Sequence, residues 1–92
     1  MNTNLDDLHF YKRWLPENKD AQILELCCGT GRLTLPIAKE GYDITGVDYT
    51  PSMLAQAKVK ASEAGLEISF IEADIRTLNL PEKYDLIFIP FN

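Results

Sequence analysis

Apolar residues along the chain alternate between two rhythms. Short runs bounded by turn residues give way to longer stretches in which apolar positions recur every three or four residues. The first rhythm is that of strands and the second that of helices, and their alternation predicts βαβ units with a parallel sheet. From Asn4 to Trp14, Leu5, Leu8, Tyr11 and Trp14 fall at spacings of three, Asn4 can cap, and Pro16 follows as a stop, which predicts an amphipathic helix. Gln22 to Leu26 reads as a first strand running into a turn from Cys27 to Gly31. The next helix carries Leu33, Leu35, Ile37 and Ala38 to a stop at Gly41, and Pro36 predicts that it is short and irregular near its N-terminal end.

Tyr42 to Val47 reads as the second strand, ending at Asp48. Thr50 before Pro51 then supplies a helix cap and a favoured first helical residue. Along that helix Met53, Leu54, Ala57, Ala61 and Ala64 can face the sheet, and Gly65 ends it. Leu66 to Glu72 reads as the third strand and Tyr84 to Phe91 as the fourth. Leu86-Ile87-Phe88-Ile89 is apolar without alternation, a pattern that predicts cover on both faces and neighbours on both edges. Since nothing after Asn92 can supply the second neighbour, the pattern also predicts that residues 1–92 are the N-terminal portion of a longer domain.

Composition narrows the chemistry. The chain has 92 residues, 46% of them hydrophobic and 25% charged, which fits one small globular domain and excludes a disordered or low-complexity segment. A net charge of -5 argues against nucleic acid as a partner, because the affinity for phosphate backbones comes from Lys and Arg. No apolar run reaches the roughly 18 to 20 residues that span a bilayer, and the N-terminus lacks the pattern of a secretory signal, so a cytoplasmic location is the default expectation. Cys27 and Cys28 are adjacent, which offers neither an ordinary disulfide framework nor a spaced metal-ligand set, and no metal is expected. They read as small side chains where strand meets loop. The sole histidine, His9, reads as a helix-surface residue.

The strongest motif is Glu25-Leu26-Cys27-Cys28-Gly29-Thr30-Gly31, in which a strand ends beside an acid and a glycine-containing turn opens a helix. Such turns serve dinucleotides and S-adenosylmethionine. A carboxylate at Glu25 would repel a pyrophosphate and attract an ammonium group. The dinucleotide fingerprint also fails: read from Gly29 its third glycine is Thr34, and read from Cys27 it is Arg32. A nicotinamide-dependent dehydrogenase is therefore disfavoured. Asp48, at the end of the second strand, can accept hydrogen bonds from ribose hydroxyls, or it can cap a helix, although Thr50 stands ready for that role. Tyr49 and Met53 can pack against a base, with plain core as the alternative for Met53. Asp74 can accept from the amino group of adenine while the N–H of Ile75 meets a ring nitrogen. Alone, an Asp there would be read as a turn residue.

ILELCCGTGRL, ITGVDYTPSMLAQA, FIEADIRTL and YDLIFIPFN together resemble, in order, four successive motifs of the class I S-adenosylmethionine-dependent methyltransferases. The resemblance implies a Rossmann-like α/β fold with a parallel sheet of strand order 3-2-1-4, truncated after the fourth strand, and methyl transfer from S-adenosyl-L-methionine to an acceptor that the motifs leave unidentified. S-adenosyl-L-homocysteine would be the product. It implies that Glu25, Cys27, Gly29 and Gly31 hold the methionine end, that Asp48 takes the ribose, and that Asp74 with Ile75 takes adenine. Tyr11, on the N-terminal helix, is implied as a contact to the methionine carboxylate, with a core or surface position as the alternative. Cys27 departs from the family's usual glycine, from which we expect a backbone conformation there that is open to ordinary residues. No catalytic residue is implied. A noncatalytic cofactor-binding or protein-interaction module is the rival reading, and an exposed fourth strand predicts self-association.

Overall fold

The computed structural model describes residues 11–79 and 84–90. Its strands are β1 (Gln22–Leu26), β2 (Asp43–Asp48), β3 (Ser69–Glu72) and β4 (Leu86–Phe88), and its helices are α1 (Thr34–Lys39) and α2 (Pro51–Glu63). The strands form one sheet in the order β3-β2-β1-β4, the order the motifs imply. Every pairing is parallel, and the register sets Ile23 beside both Ile44 and Leu86 and sets Glu25 beside both Gly46 and Phe88. Single backbone bonds extend the ladders beyond the strands: Cys28 donates to Val47 and Ala73 donates to Asp48. These bonds bring the carboxyl ends of β1, β2 and β3 level with one another.

β1 and β2 bury consecutive residues, so both faces of the sheet are covered there. Ile23 and Ile44 are buried with Leu33 and Ile37 of the α1 segment and with Tyr11, and Leu86 and Phe88 pack against the same cluster. Tyr11 lies against the Phe88 ring with centroids 5.1 Å apart. Tyr11 is thus buried in the core cluster. Trp14, expected on the same helix face, is instead 65% exposed. The helical conformation ends at Lys12, two residues before it, so the three-residue spacing no longer aims the ring at the core. The earlier positions of the predicted helix, including Asn4, Leu5, Leu8 and His9, lie outside the described residues.

Helix α1 is short, as Pro36 predicts, and it begins only at Thr34, after five turn residues. Pro36 then falls in the first turn, where its missing N–H costs no intrahelical bond. Helix α2 starts at Pro51 as expected, yet the Thr50 side chain makes no capping hydrogen bond. The Thr50 N–H donates instead to Asp48 Oδ1 at 2.9 Å. Leu54, Ala57 and Ala61 are buried, whereas Met53 and Ala64 are exposed and do not join the sheet contact.

Strand β4 departs from its expected environment. Leu86 and Phe88 pack inward, but Ile87 and Ile89 are 54% and 52% exposed. The apolar run alternates in space although it does not alternate in sequence, because among the described residues only one face of β4 is covered. Its outer edge has no paired strand among those residues. β3 and β4 are also shorter than their apolar runs, with four and three residues.

Candidate functional site

A cavity of about 370 Å³ opens where β1 and β2 end, lined by the turn after β1 together with Glu25, Arg32, Asp48, Met53 and Pro90. Its size is that of a small-molecule cleft, about 300–1,000 Å³ in general, and its place at the carboxyl ends of parallel strands is where such sheets bind ligands. The turn owes its shape to three left-handed residues. Gly29 and Gly31 have φ of 61° and 89°, and Cys27 has φ of 60°. Cys27 thus corrects the expectation of an ordinary backbone conformation: it occupies the left-handed region that glycine favours, and its Cβ makes that conformation costly. The turn keeps this geometry because its neighbours are anchored on both sides, by the Cys28 bond to Val47 and by an N–H from Gly29.

That second anchor is Asp48. Its Oδ2 accepts from the Gly29 N–H at 2.7 Å while Oδ1 accepts from Thr50. One buried carboxylate therefore ties the glycine turn to the start of α2 and fixes the cavity floor. Gly31 faces away from the cavity lining. A Cβ there would meet Leu35 Cδ1 at 2.5 Å and Ala57 Cβ at 3.4 Å, so Gly31 lets α2 approach the turn closely. Gly46 has a similar packing role beneath the site, with Cys28 Sγ 2.8 Å and Phe70 Cδ1 3.1 Å from where its Cβ would stand.

Glu25 is buried on β1, and the Thr34 hydroxyl donates to its Oε1 at 2.5 Å. Burial raises its carboxyl from 4.5 to about 7; the Thr34 bond and the positive charge of Arg32 oppose that rise, and Asp48 adds to it. An acid in this state is half ionised near neutrality and gains most from a cationic group arriving beside it. Cys28 is also buried, and its thiol is pushed up to about 12, by burial first and then by the charges of Glu25 and Asp48. It is a packing residue with no thiolate chemistry at ordinary pH.

The structure brings Glu25, Cys27, Gly29, Asp48 and Met53 to one cavity and leaves Tyr11, Gly31, Tyr49, Asp74 and Ile75 off its lining. Tyr49 is 70% exposed directly after β2, and Ile75 is exposed in the segment after β3. Both stand at the carboxyl ends of adjacent strands. Asp74 is engaged locally: Arg76 donates to it from its backbone N–H at 2.9 Å and from Nη2 at 2.6 Å. These bonds hold its carboxyl below the ordinary aspartate value. Sequence reasoning passed over Arg32, whose signal was a basic residue immediately after the Gly-Thr-Gly turn. Among the described residues no group of three or more His, Cys, Asp and Glu side chains could hold a metal ion. No helix among them is long and apolar enough to cross a membrane.

A parallel 3-2-1-4 sheet, a left-handed turn after β1 and an acid at the end of β2 define a Rossmann-like methyltransferase domain. Residues 23–92 match the family model described as a methyltransferase domain, and the chain belongs to that family. It is 40% identical over 78 residues to a demethylmenaquinone methyltransferase of Thermus thermophilus, an alignment that covers 82% of this chain and 36% of that protein. It is also 40% identical over 63 residues to the 23S rRNA (uracil(1939)-C(5))-methyltransferase RlmD of Shewanella halifaxensis, covering 67% of this chain and 14% of that one. Among solved structures, an S-adenosylmethionine-dependent methyltransferase from Clostridium acetobutylicum superposes with a TM-score of 0.84 at 30% identity, covering 96% of this chain and 37% of its own. Coclaurine N-methyltransferase, bound to N-methylheliamine and SAH, gives 0.85 at 26% identity, with 94% of this chain and 26% of its own covered. The chain thus spans well under half the length of each of these relatives.

Proposed function

We propose that this chain binds S-adenosyl-L-methionine in the cavity above β1 and β2 and serves transfer of its methyl group to an acceptor. The observation that carries the reading is Glu25, a buried acid aimed at a cavity that also contains the left-handed turn and Asp48. A buried carboxyl is expensive to ionise without a partner, and the ammonium of the methionine moiety supplies one. The turn lets the ligand approach the backbone. Asp48, with each oxygen already holding one backbone N–H, retains lone pairs for ribose hydroxyls. Tyr49 and Ile75, exposed after β2 and β3, are the residues we assign to adenine, with Asp74 accepting from its amino group in exchange for Arg76, and Met53 lines the cavity beside Gly29.

The bound sulfonium would supply an activated methyl carbon: an acceptor lone pair forms the new bond, the C–S pair returns to sulfur, and a protonated acceptor loses its proton to a base or to water. The residues of this chain act by position, holding the cofactor in line with the acceptor. The acidic surface offers little grip on a polynucleotide, and the cited relatives have acceptors as different as a quinone precursor and an rRNA base. Acceptor choice therefore belongs to other segments of the intact enzyme. Calorimetry should show S-adenosylmethionine and S-adenosylhomocysteine competing for one site, with radiolabelled methyl transfer measured on the intact enzyme. Absence of binding to either would overturn the reading; binding without transfer to any acceptor would favour the noncatalytic module.

A further inference from the structure

We propose that Arg76 is a displaceable plug on Asp74: the adenine of the cofactor must evict a guanidinium from its acceptor, and Arg76 thereby sets how strongly the site prefers adenine to other bases. The inference deepens the cofactor reading and rests on its assignment of Asp74 to the base. Asp48 and Glu72 are register partners, and the Ala73 N–H donates to the Asp48 carbonyl at 3.0 Å. The ladder between β2 and β3 therefore ends one residue before Asp74. On the cofactor reading, the base joined to the ribose at Asp48 extends toward that acid.

Asp74 is not a free acceptor. Its Oδ1 takes the Arg76 backbone N–H at 2.9 Å and Nε at 3.1 Å, and its Oδ2 takes Nε at 3.1 Å and Nη2 at 2.6 Å. A carboxylate offers about four lone-pair sites, so these contacts use them up. The amino group of adenine is a neutral donor, weaker than a charged fork bound to the same oxygens. The parts of the plug differ in how easily they leave. The Arg76 N–H belongs to a tight turn in which the Thr77 N–H and hydroxyl both donate to the Asp74 carbonyl, so it stays. The Arg76 side chain is 83% exposed, against 25% for Asp74, and its guanidinium passes into water at the small cost of an exposed ion pair. Its departure frees Oδ2 for the amino group. A hypoxanthine base gains nothing from the exchange, because it carries a carbonyl oxygen where adenine carries the amino group, and a carboxylate repels that oxygen.

Calorimetry on the intact protein with S-adenosylhomocysteine and S-inosylhomocysteine, which carry an amino group and a carbonyl oxygen at the same ring carbon, tests this. Arg76→Ala should bind S-adenosylhomocysteine about two- to fivefold more tightly than wild type, the range of an exposed ion pair, and S-inosylhomocysteine no more tightly. In an Asp74→Ala chain, Arg76→Ala should change affinity for neither ligand, because the acceptor it plugs is gone. No gain, or an equal gain for both ligands, would overturn the role of Arg76 while the cofactor site stands. A second measurement needs no variant. With the uncharged ligands 5'-methylthioadenosine and 5'-methylthioinosine, added salt should loosen the plug and raise wild-type affinity for the first relative to the second. A ratio independent of salt would overturn the plug as well. Failure of the wild-type protein to bind either homocysteine ligand would overturn the cofactor reading and this inference together.

Discussion

Glu25 couples the site to pH in two opposite directions. Its carboxyl rises from 4.5 to about 7 on folding, so between those values the folded chain retains a proton that the unfolded chain has released. Stability from this group is greatest below pH 4.5 and falls as pH rises toward 7, by about 3 kcal/mol for a shift of this size. Urea unfolding of wild type and Glu25→Gln at pH 5 and pH 7.5 should show the variant gaining relative stability at the higher pH. A constant difference between the two would contradict a buried, proton-holding Glu25. Cofactor affinity should move the other way and strengthen from pH 5.5 to 7 as the carboxylate forms, with proton release visible as a buffer-dependent binding enthalpy. Cys27 permits a second residue-scale prediction. Replacing it with glycine removes the Cβ from a left-handed position and should stabilise the fold by about 1 kcal/mol. Thermal unfolding checks this, and an unchanged midpoint would mean that the thiol makes a compensating contact.

At the scale of elements, the turn after β1 is held by packing as much as by its own sequence. Gly46→Ala should cost about 1–3 kcal/mol, because its Cβ would press on Cys28 and on the ring of Phe70 across the sheet. Cys28→Ala in the same chain should return part of that loss, since it removes the Sγ that comes nearest. Additive losses in a double-mutant cycle would show that the two positions are not in contact. The Asp48 carboxylate is a similar joint. Asp48→Ala leaves the Gly29 and Thr50 N–H groups without their acceptor, so it should lower stability as well as cofactor affinity, and urea unfolding would reveal the first effect. Much of this was legible in the chain: the Gly-containing turn, the acid at each strand end and Pro51 all mark local boundaries. The double hydrogen bonding of Asp48 was not, because Thr50 is a competent cap by type and only the placement of the turn beside β2 decides which oxygen the N–H groups meet.

Across the whole molecule, the edge of β4 matters most. Ile87 and Ile89 form an exposed apolar pair on a strand whose outer edge is unpaired among the described residues. The 92-residue chain should therefore self-associate in the micromolar range by sedimentation, and Ile87→Lys should shift it toward monomer while sparing the core, because that side chain already faces outward. A wild-type chain that sediments as a monomer throughout would overturn this. Hydrophobic periodicity determined the element order and the parallel sheet, because strand and helix rhythms are local, while the 3-2-1-4 arrangement was implied by the resemblance to the methyltransferase motifs. The motif order placed Glu25, Gly29 and Asp48 near one another for the same reason. Only the tertiary structure decided that Tyr11 belongs to the core, that Trp14 does not, that Cys27 is left-handed and that Arg32 enters the cavity. Those outcomes depend on which side chains meet across the sheet and on how each one is desolvated, and neither is written in the spacing along a single chain.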